Sequence, residues 1–189
     1  MSNTLKPVDA PFAPEIDQVL ANFPKQDGYL LTLFRTFAHS LRFLKKGVPN
    51  LLDRDSPLDL RTREIVILRT TSNRNCEYEW GVHVAIFAKS AKFTQTQIQA
   101  TRLGQKECWS PEEGRLIAAI DQLCATGMLD QAALAGFQSD WNNQQQLEIL
   151  ALIGTYTTIS CVANVAQLPP EPFGVEFPRT DAITALGRQ

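Results

Sequence analysis

The sequence predicts an all-α protein built as one domain over residues 1–189. Apolar residues recur at helical spacing along most of the chain, no segment alternates long enough for a sheet, and several helix starts are spelled out as capping residues. With 44% hydrophobic and 20% charged residues, the composition is that of an ordinary globular domain and excludes disordered, collagen-like and coiled-coil arrays.

The elements follow in order. After a Pro-rich start, residues 15–23 predict a short helix. Leu30, Phe34, Phe37, Leu41 and Leu44 then recur at steps of 4, 3, 4 and 3, one apolar stripe that predicts a single helix ended by Gly47 and Pro49. Asp59 can cap a helix running to about Ser72, in which Ile65, Val66, Ile67 and Leu68 are apolar on every side and demand burial. Asn75 can cap the next helix, to about Ala91, so that about 59–91 forms a central helical hairpin. Capping boxes predict further starts at Thr94 with Gln97, Ser110-Pro111 with Glu113, and Asn143 with Gln146. Leu116, Ile117, Ile120, Leu123 and Cys124 give the 111–126 helix its core face. From Gln167 onward, Pro169, Pro170, Pro172 and Pro178 forbid a helix and predict an extended C-terminal arm, about 167–189, able to wrap a neighbour.

Ile149 to Pro170 carries no formal charge over 22 residues, the length of a membrane span. Thr155, Thr157, Thr158, Ser160, Asn164 and Gln167 interrupt it and Pro169-Pro170 lies inside it, so the expectation is a helix in the core or at a subunit interface and no membrane partner. Prolines and charges at the N-terminus do not fit a signal peptide, and the four cysteines (Cys76, Cys108, Cys124, Cys161) show no C-x-x-C spacing, which suits reduced thiols in the cytoplasm. A net charge of −2 gives no global field for nucleic acid, and none is expected as a partner. Residues 35–74 hold nine Lys/Arg against four Asp/Glu and residues 107–148 one against seven, two regions that can complement each other within or between subunits.

Chemistry concentrates between residues 64 and 83. On one helix, Cys76, Glu79 and His83 stand at i, i+3 and i+7 and share a face, with Glu79 and His83 direct neighbours. Folding the hairpin back brings Glu64 toward the His83 end. A carboxylate beside imidazole raises its pKa and fixes its tautomer, which suits general acid–base work. Cys76, in the first turn after Asn75, meets free backbone N–H groups and the helix dipole, both of which favour a thiolate. Arg63 and Arg69 are candidates to hold a substrate carboxylate, and Tyr78 and Trp80 to line a pocket. His39 reads as a structural or surface histidine. A metal on Glu64, Glu79 and His83 lacks the two-histidine or multi-thiolate spacing of a metal site, and none is expected.

Arg63-Glu64-Ile65-Val66 followed by Asn75-Cys76-Glu77-Tyr78-Glu79-x-x-x-His83 resembles the carboxymuconolactone decarboxylase and alkylhydroperoxidase D superfamily, whose peroxidase branch carries E-x11-C-x2-C-x3-H. Glu64, Cys76 and His83 match that frame, and the resemblance spans about residues 30–105. Where the peroxidase branch has its second cysteine, this chain has Glu79, as the decarboxylase branch does. The resemblance implies an all-helical bundle of the alkylhydroperoxidase D-like type, a homo-oligomer (trimer, hexamer or dimer) and no cofactor. It implies decarboxylase-like acid–base chemistry by Glu64, Glu79 and His83 on a small anionic lactone or carboxylate, with Cys76 lining the site. Two alternatives stand beside it: a thiol-dependent peroxidase using Cys76 alone, and a catalytically silent helical binding module.

Overall fold

A computed structural model describes residues 4–178. In chain order these form α1 (Pro14–Leu20), a hairpin of β1 (Lys25–Gln26) and β2 (Tyr29–Leu30), α2 (Thr32–Phe37), α3 (Leu41–Lys46), α4 (Leu60–Asn73), α5 (Glu77–Phe87), α6 (Gln95–Leu103), α7 (Pro111–Thr126), α8 (Gln131–Asp140) and α9 (Asn143–Ala166). The helix that is apolar on every side becomes the hub: α4 packs against α5, α6, α7 and α9, and Ile65, Val66, Ile67 and Leu68 are all but inaccessible to solvent. Such a helix needs no amphipathic stripe, because it has no water-facing side to keep polar.

The α4–α5 hairpin is present. Asp59 caps α4 by accepting from the Thr62 N–H at 2.8 Å. At the turn, Asn75 takes a left-handed conformation (φ 51°) and Cys76 occupies the N-cap position of α5, one residue later than the sequence suggested. The turn's backbone is satisfied from outside as well, since Arg102 donates to the Ser72 carbonyl and to Asn75 Oδ1.

Several elements depart from the sequence reading. The stripe from Leu30 to Leu44 is split into α2 and α3, because the Ser40 hydroxyl accepts from the Phe43 N–H and starts a new helix. Of the stripe, Phe37 and Leu44 are buried in the core, while Leu30, Phe34 and Leu41 are half-buried. A two-residue hairpin appears where no strand was expected; Asp27-Gly28, both at positive φ (49° and 81°), make the tight turn that pairs Gln26 with Tyr29. The first helix is Pro14–Leu20, and α5 ends at Phe87. The capping boxes at Thr94 and Ser110 form as read, whereas the last is Asn142 with Gln145, one residue early. Leu123 and Cys124 are only half-buried. His39 is exposed and its Nε2 donates to the Lys6 carbonyl.

α9 is long and apolar enough to cross a membrane, but one face of it is core: Ile149, Leu152, Tyr156, Ile159, Ser160 and Ala163 are buried against the hub. Its opposite face presents Leu147, Leu150, Gly154, Cys161 and Val165, the last 72% exposed. The arm from Gln167 is extended up to Pro178, the part of it lying within the described residues, and it lies on its own chain's α5. Buried Glu171 accepts from the Thr32 N–H (2.6 Å) and the Tyr78 hydroxyl (2.5 Å). The Phe177 N–H donates to Glu77 Oε1, and the Phe177 ring sits between Trp80 and the Arg102 guanidinium.

Gly81 lets the arm approach: the Val175 N–H donates to the Gly81 carbonyl, and a Cβ at Gly81 would stand 2.2 Å from the Val175 oxygen. Gly81→Ala would raise helix propensity, yet overpacking of this kind costs about 2 kcal/mol and outweighs that gain. A lower urea midpoint for Gly81→Ala is the expected result; a higher one would mean that the arm does not hold α5.

Candidate active site

Three helices place the side chains. α4 carries Arg63 and Glu64, α5 carries Cys76 at its N-cap and then Glu79 and His83, and α9 supplies Tyr156 and Ser160. The antiparallel hairpin puts Glu64 level with His83: His83 Nδ1 donates to Glu64 Oε2 at 2.7 Å, with Glu64 fully buried and His83 3% exposed. His83 Nε2 faces the Tyr156 hydroxyl at 3.0 Å and Glu79 Oε1 at 3.5 Å. The ring is held edge to face by Tyr156 and lies against Phe87. Arg63 Nε stands 3.5 Å from Glu64 Oε1, and its guanidinium lies over Phe87.

Burial alone would lower the His83 pKa. The Glu64 charge and hydrogen bond, followed by those of Glu79, override it and raise the pKa to about 9. His83 is therefore an imidazolium at neutral pH, a proton donor in its resting state. Tyr156 is held well above its usual range by burial and by the charges of Glu79 and Glu64, so it remains a phenol. A phenol can accept from Nε2–H when the ring is charged and donate to Nε2 once the proton has left.

Cys76 differs from the expectation of a thiolate. It is fully buried, and desolvation pushes its pKa up to about 11 despite the Glu79 backbone N–H and the Ser160 hydroxyl, which favour the ionised form. The helix N-terminus does not offset the loss of water around the sulfur.

Among the residues expected to touch a substrate, Arg63 alone borders the Glu64–His83 pair. Arg69 makes a two-pronged pair with Asp121 (2.6 and 2.8 Å) and donates to the Thr101 carbonyl, so it ties α4 to α6 and α7. Trp80 is buried and donates to Thr101 Oγ1. Tyr78 joins the arm to α2, since its hydroxyl donates to Glu171 and accepts from the Leu33 N–H. Tyr156 and Ser160 were not singled out from the sequence. Two hydroxyls one helical turn apart in the uncharged stretch from Ile149, flanked by Leu152, Ile159 and Ala163, were the available signal. Among the described residues no three His, Cys, Asp or Glu side chains are arranged to hold a metal ion.

A histidine whose pKa is raised from 6.5 to about 9 adds stability that is fully present below pH 6.5 and is lost as pH rises through about 9. Denaturant melts should show wild-type stability falling across that window and Glu64→Gln removing most of the slope. NMR titration of the His83 ring should give a midpoint well above the usual histidine value; a midpoint at or below that value would overturn this picture of the pair.

Residues 41–122 match the model of the carboxymuconolactone decarboxylase family. No curated protein matches the chain. Among solved structures, the debrominase Bmp8 in its apo form superposes with a TM-score of 0.74 at 14% identity, covering 92% of this chain and 95% of its own. A cysteine-to-alanine form of Bmp8 in complex with 2,3,4-tribromopyrrole gives 0.74 and 14% over 92% and 94%. ATU0492 from Agrobacterium tumefaciens, a protein of unknown function suggested to be the antioxidant defence protein AhpD, gives 0.56 and 16% over 62% and 82%. At these identities the solved structures speak for the fold, while the match over 41–122 covers the hairpin that carries Glu64, Cys76, Glu79 and His83. Over residues 41–122 the chain is therefore similar to the carboxymuconolactone decarboxylase family, and its fold is shared with these solved structures.

Proposed function

We propose that the protein is a cofactor-free, decarboxylase-like enzyme in which His83 delivers a proton to a small lactone or carboxylate substrate. The buried Glu64–His83–Tyr156 chain carries the proposal. Glu64 fixes the ring through Nδ1–H and stabilises its positive charge, leaving Nε2–H as the acid. As the substrate rearranges or loses CO2, the Nε2 proton passes to the carbon that gains electron density, and the neutral ring then accepts a hydrogen bond from Tyr156. Glu79 assists from 3.5 Å and favours return of the proton from water. Arg63 offsets the Glu64 charge and is the guanidinium placed to meet a substrate carboxylate.

A single-cysteine peroxidase fits less well, because a thiol with its pKa near 11 supplies little thiolate at neutral pH. A silent binding module gives no reason to enclose two carboxylates and an imidazolium away from water, an arrangement that is a poor source of net stability and is common at catalytic sites. The exposed apolar stripe of α9 supports the homo-oligomer that the family resemblance implies. We place the protein in the cytoplasm, with neither nucleic acid nor membrane among its partners.

The test is to incubate a panel of small lactones and carboxylates with the protein in D2O and detect deuterium in products by mass spectrometry. Wild-type protein should yield a product carrying one solvent deuteron on carbon. His83→Gln should lose turnover by about 10²–10⁴-fold while keeping the helical spectrum, and Glu64→Gln should follow it. Full activity in His83→Gln would remove the histidine from the mechanism. In parallel, hydrogen peroxide should oxidise half-buried Cys108 ahead of buried Cys76; the reverse order, with recovery by added thiol, would favour the peroxidase.

A further inference from the structure

The chain from Gly47 to Asp59, between α3 and α4, is the longest connection between two helices among the described residues. Connections this long without regular structure are uncommon inside a compact domain and are often functional. From Val48 to Leu58 no backbone group bonds to another backbone group. Three hydrogen bonds from side chains tie the segment to the helices, and all are long: Arg63 Nη1 to the Leu52 carbonyl at 3.4 Å, Ser56 Oγ to Glu148 Oε1 at 3.3 Å, and Gln145 Nε2 to the Pro57 carbonyl at 3.4 Å. The C-terminal arm, equally irregular, is held by shorter bonds, 2.6 Å from the Thr32 N–H to Glu171 and 2.7 Å from the Phe177 N–H to Glu77. Half-buried Val48, Leu51 and Leu52 seat the segment on the core by apolar contact alone. Segments tied in this way open locally at low cost.

The segment touches the buried acid through two side chains. Of the groups that meet the His83 ring, Glu64, Glu79 and Tyr156 are at most 5% exposed, whereas Phe87 is only half-buried. The Arg63 guanidinium lies over the Phe87 ring, 5.8 Å from its centre, and bonds the Leu52 carbonyl. Contact therefore runs outward from His83 through Phe87 and Arg63 to Leu52. We propose that residues 48–58 form a lid on the Phe87 side of His83, closed in this structure and latched by Arg63, which lifts to admit substrate. Lifting Leu52 also frees the Arg63 donor that its carbonyl occupies, so the movement that opens the site makes a cation available to a substrate oxygen. What the lid admits rests on the acid–base reading above, whereas the lid itself rests on the tethers and contacts of the segment.

Exchange at the imidazole carbon reads the opening without any need for a substrate. In D2O a deuteroxide ion removes the Cε1 proton of an imidazolium and solvent returns a deuteron, and peptide mass spectrometry gives the rate at His83 divided by that at exposed His39. Trypsin supplies a second rate, that of cleavage after exposed Arg54 within the lid. Ser56→Ala combined with Gln145→Glu removes two of the tethers, and Glu at position 145 keeps the oxygen that caps α9. Loss of these two weak bonds should raise both rates by about fivefold with the helical spectrum unchanged, and Ser56→Ala alone should fall between wild type and the pair. The proposal is overturned if Arg54 is cut faster while His83 exchange stands still, if His83 exchange rises without Arg54, or if neither rate moves. Each of those results leaves the His83 titration and the deuterium-labelled product untouched, so failure of the lid and failure of the acid–base reading are told apart.

Discussion

A carboxylate with no access to water must have a partner, and much of the molecule's arrangement answers the one at Glu64. Its two oxygens are met by His83 Nδ1 and, more loosely, by Arg63. Those contacts need α4 and α5 antiparallel and in one register, because a shift of one residue along either helix turns its side chain by about 100°. Register in turn is fixed at the Ser72–Cys76 turn, where backbone bonds, a left-handed Asn75 and Arg102 hold the chain. The buried pair is a poor source of net stability by itself, since removing two charges from water costs about as much as their attraction returns. Its value is that it makes one arrangement of the hairpin far better than its neighbours.

Around this pair the protein separates two kinds of polar contact. Arg69 with Asp121, Arg61 with Glu113, and Tyr78 with Glu171 connect distant segments and are saturated with partners. Around the short Glu64–His83–Tyr156 bonds the remaining contacts are long or missing: Glu79 stands at 3.5 Å, and Glu64 Oε1, Glu79 Oε2 and Arg63 Nε have no partner of good geometry. Saturated pairs hold a fold in place, and unsaturated ones leave capacity for something that comes and goes. The same division explains why four residues of similar sequence appeal have different fates. Arg69, Tyr78 and Trp80 belong to the first group and Arg63 to the second.

Much of this was legible in the sequence. The helix at 60–73 could be read because apolar residues on every side admit only a central position, and the caps at Asp59, Thr94 and Ser110 because their chemistry is local. Glu64 opposite His83 was readable from the 19-residue separation across a short turn. What escaped depended on distant neighbours. Ser40 could be recognised as a cap only by knowing that the chain bends there, and Asp27-Gly28 is too short a signal to stand out without the strands it joins. The Cys76 thiol looked ionisable from its own helix, yet its pKa is governed by burial, with Ser160 of α9, 84 residues away, beside it. Tyr156 was hidden for the same reason, since nothing within its own helix marks it as the partner of a histidine on another.

α9 presents two faces with different duties on one rod. Inward it offers Tyr156 and Ser160 to the hairpin, and outward an uncharged row runs from Leu147 past Gly154 to Val165. A 24-residue helix is about 36 Å long and stiff, so it shifts or turns as a unit. A rotation of a few degrees imposed on the outer row would swing the Tyr156 oxygen relative to His83 Nε2 by a few tenths of an ångström, enough to make or spoil a hydrogen bond. Whatever settles on the outside of α9 therefore also sets the alignment of the proton's path inside.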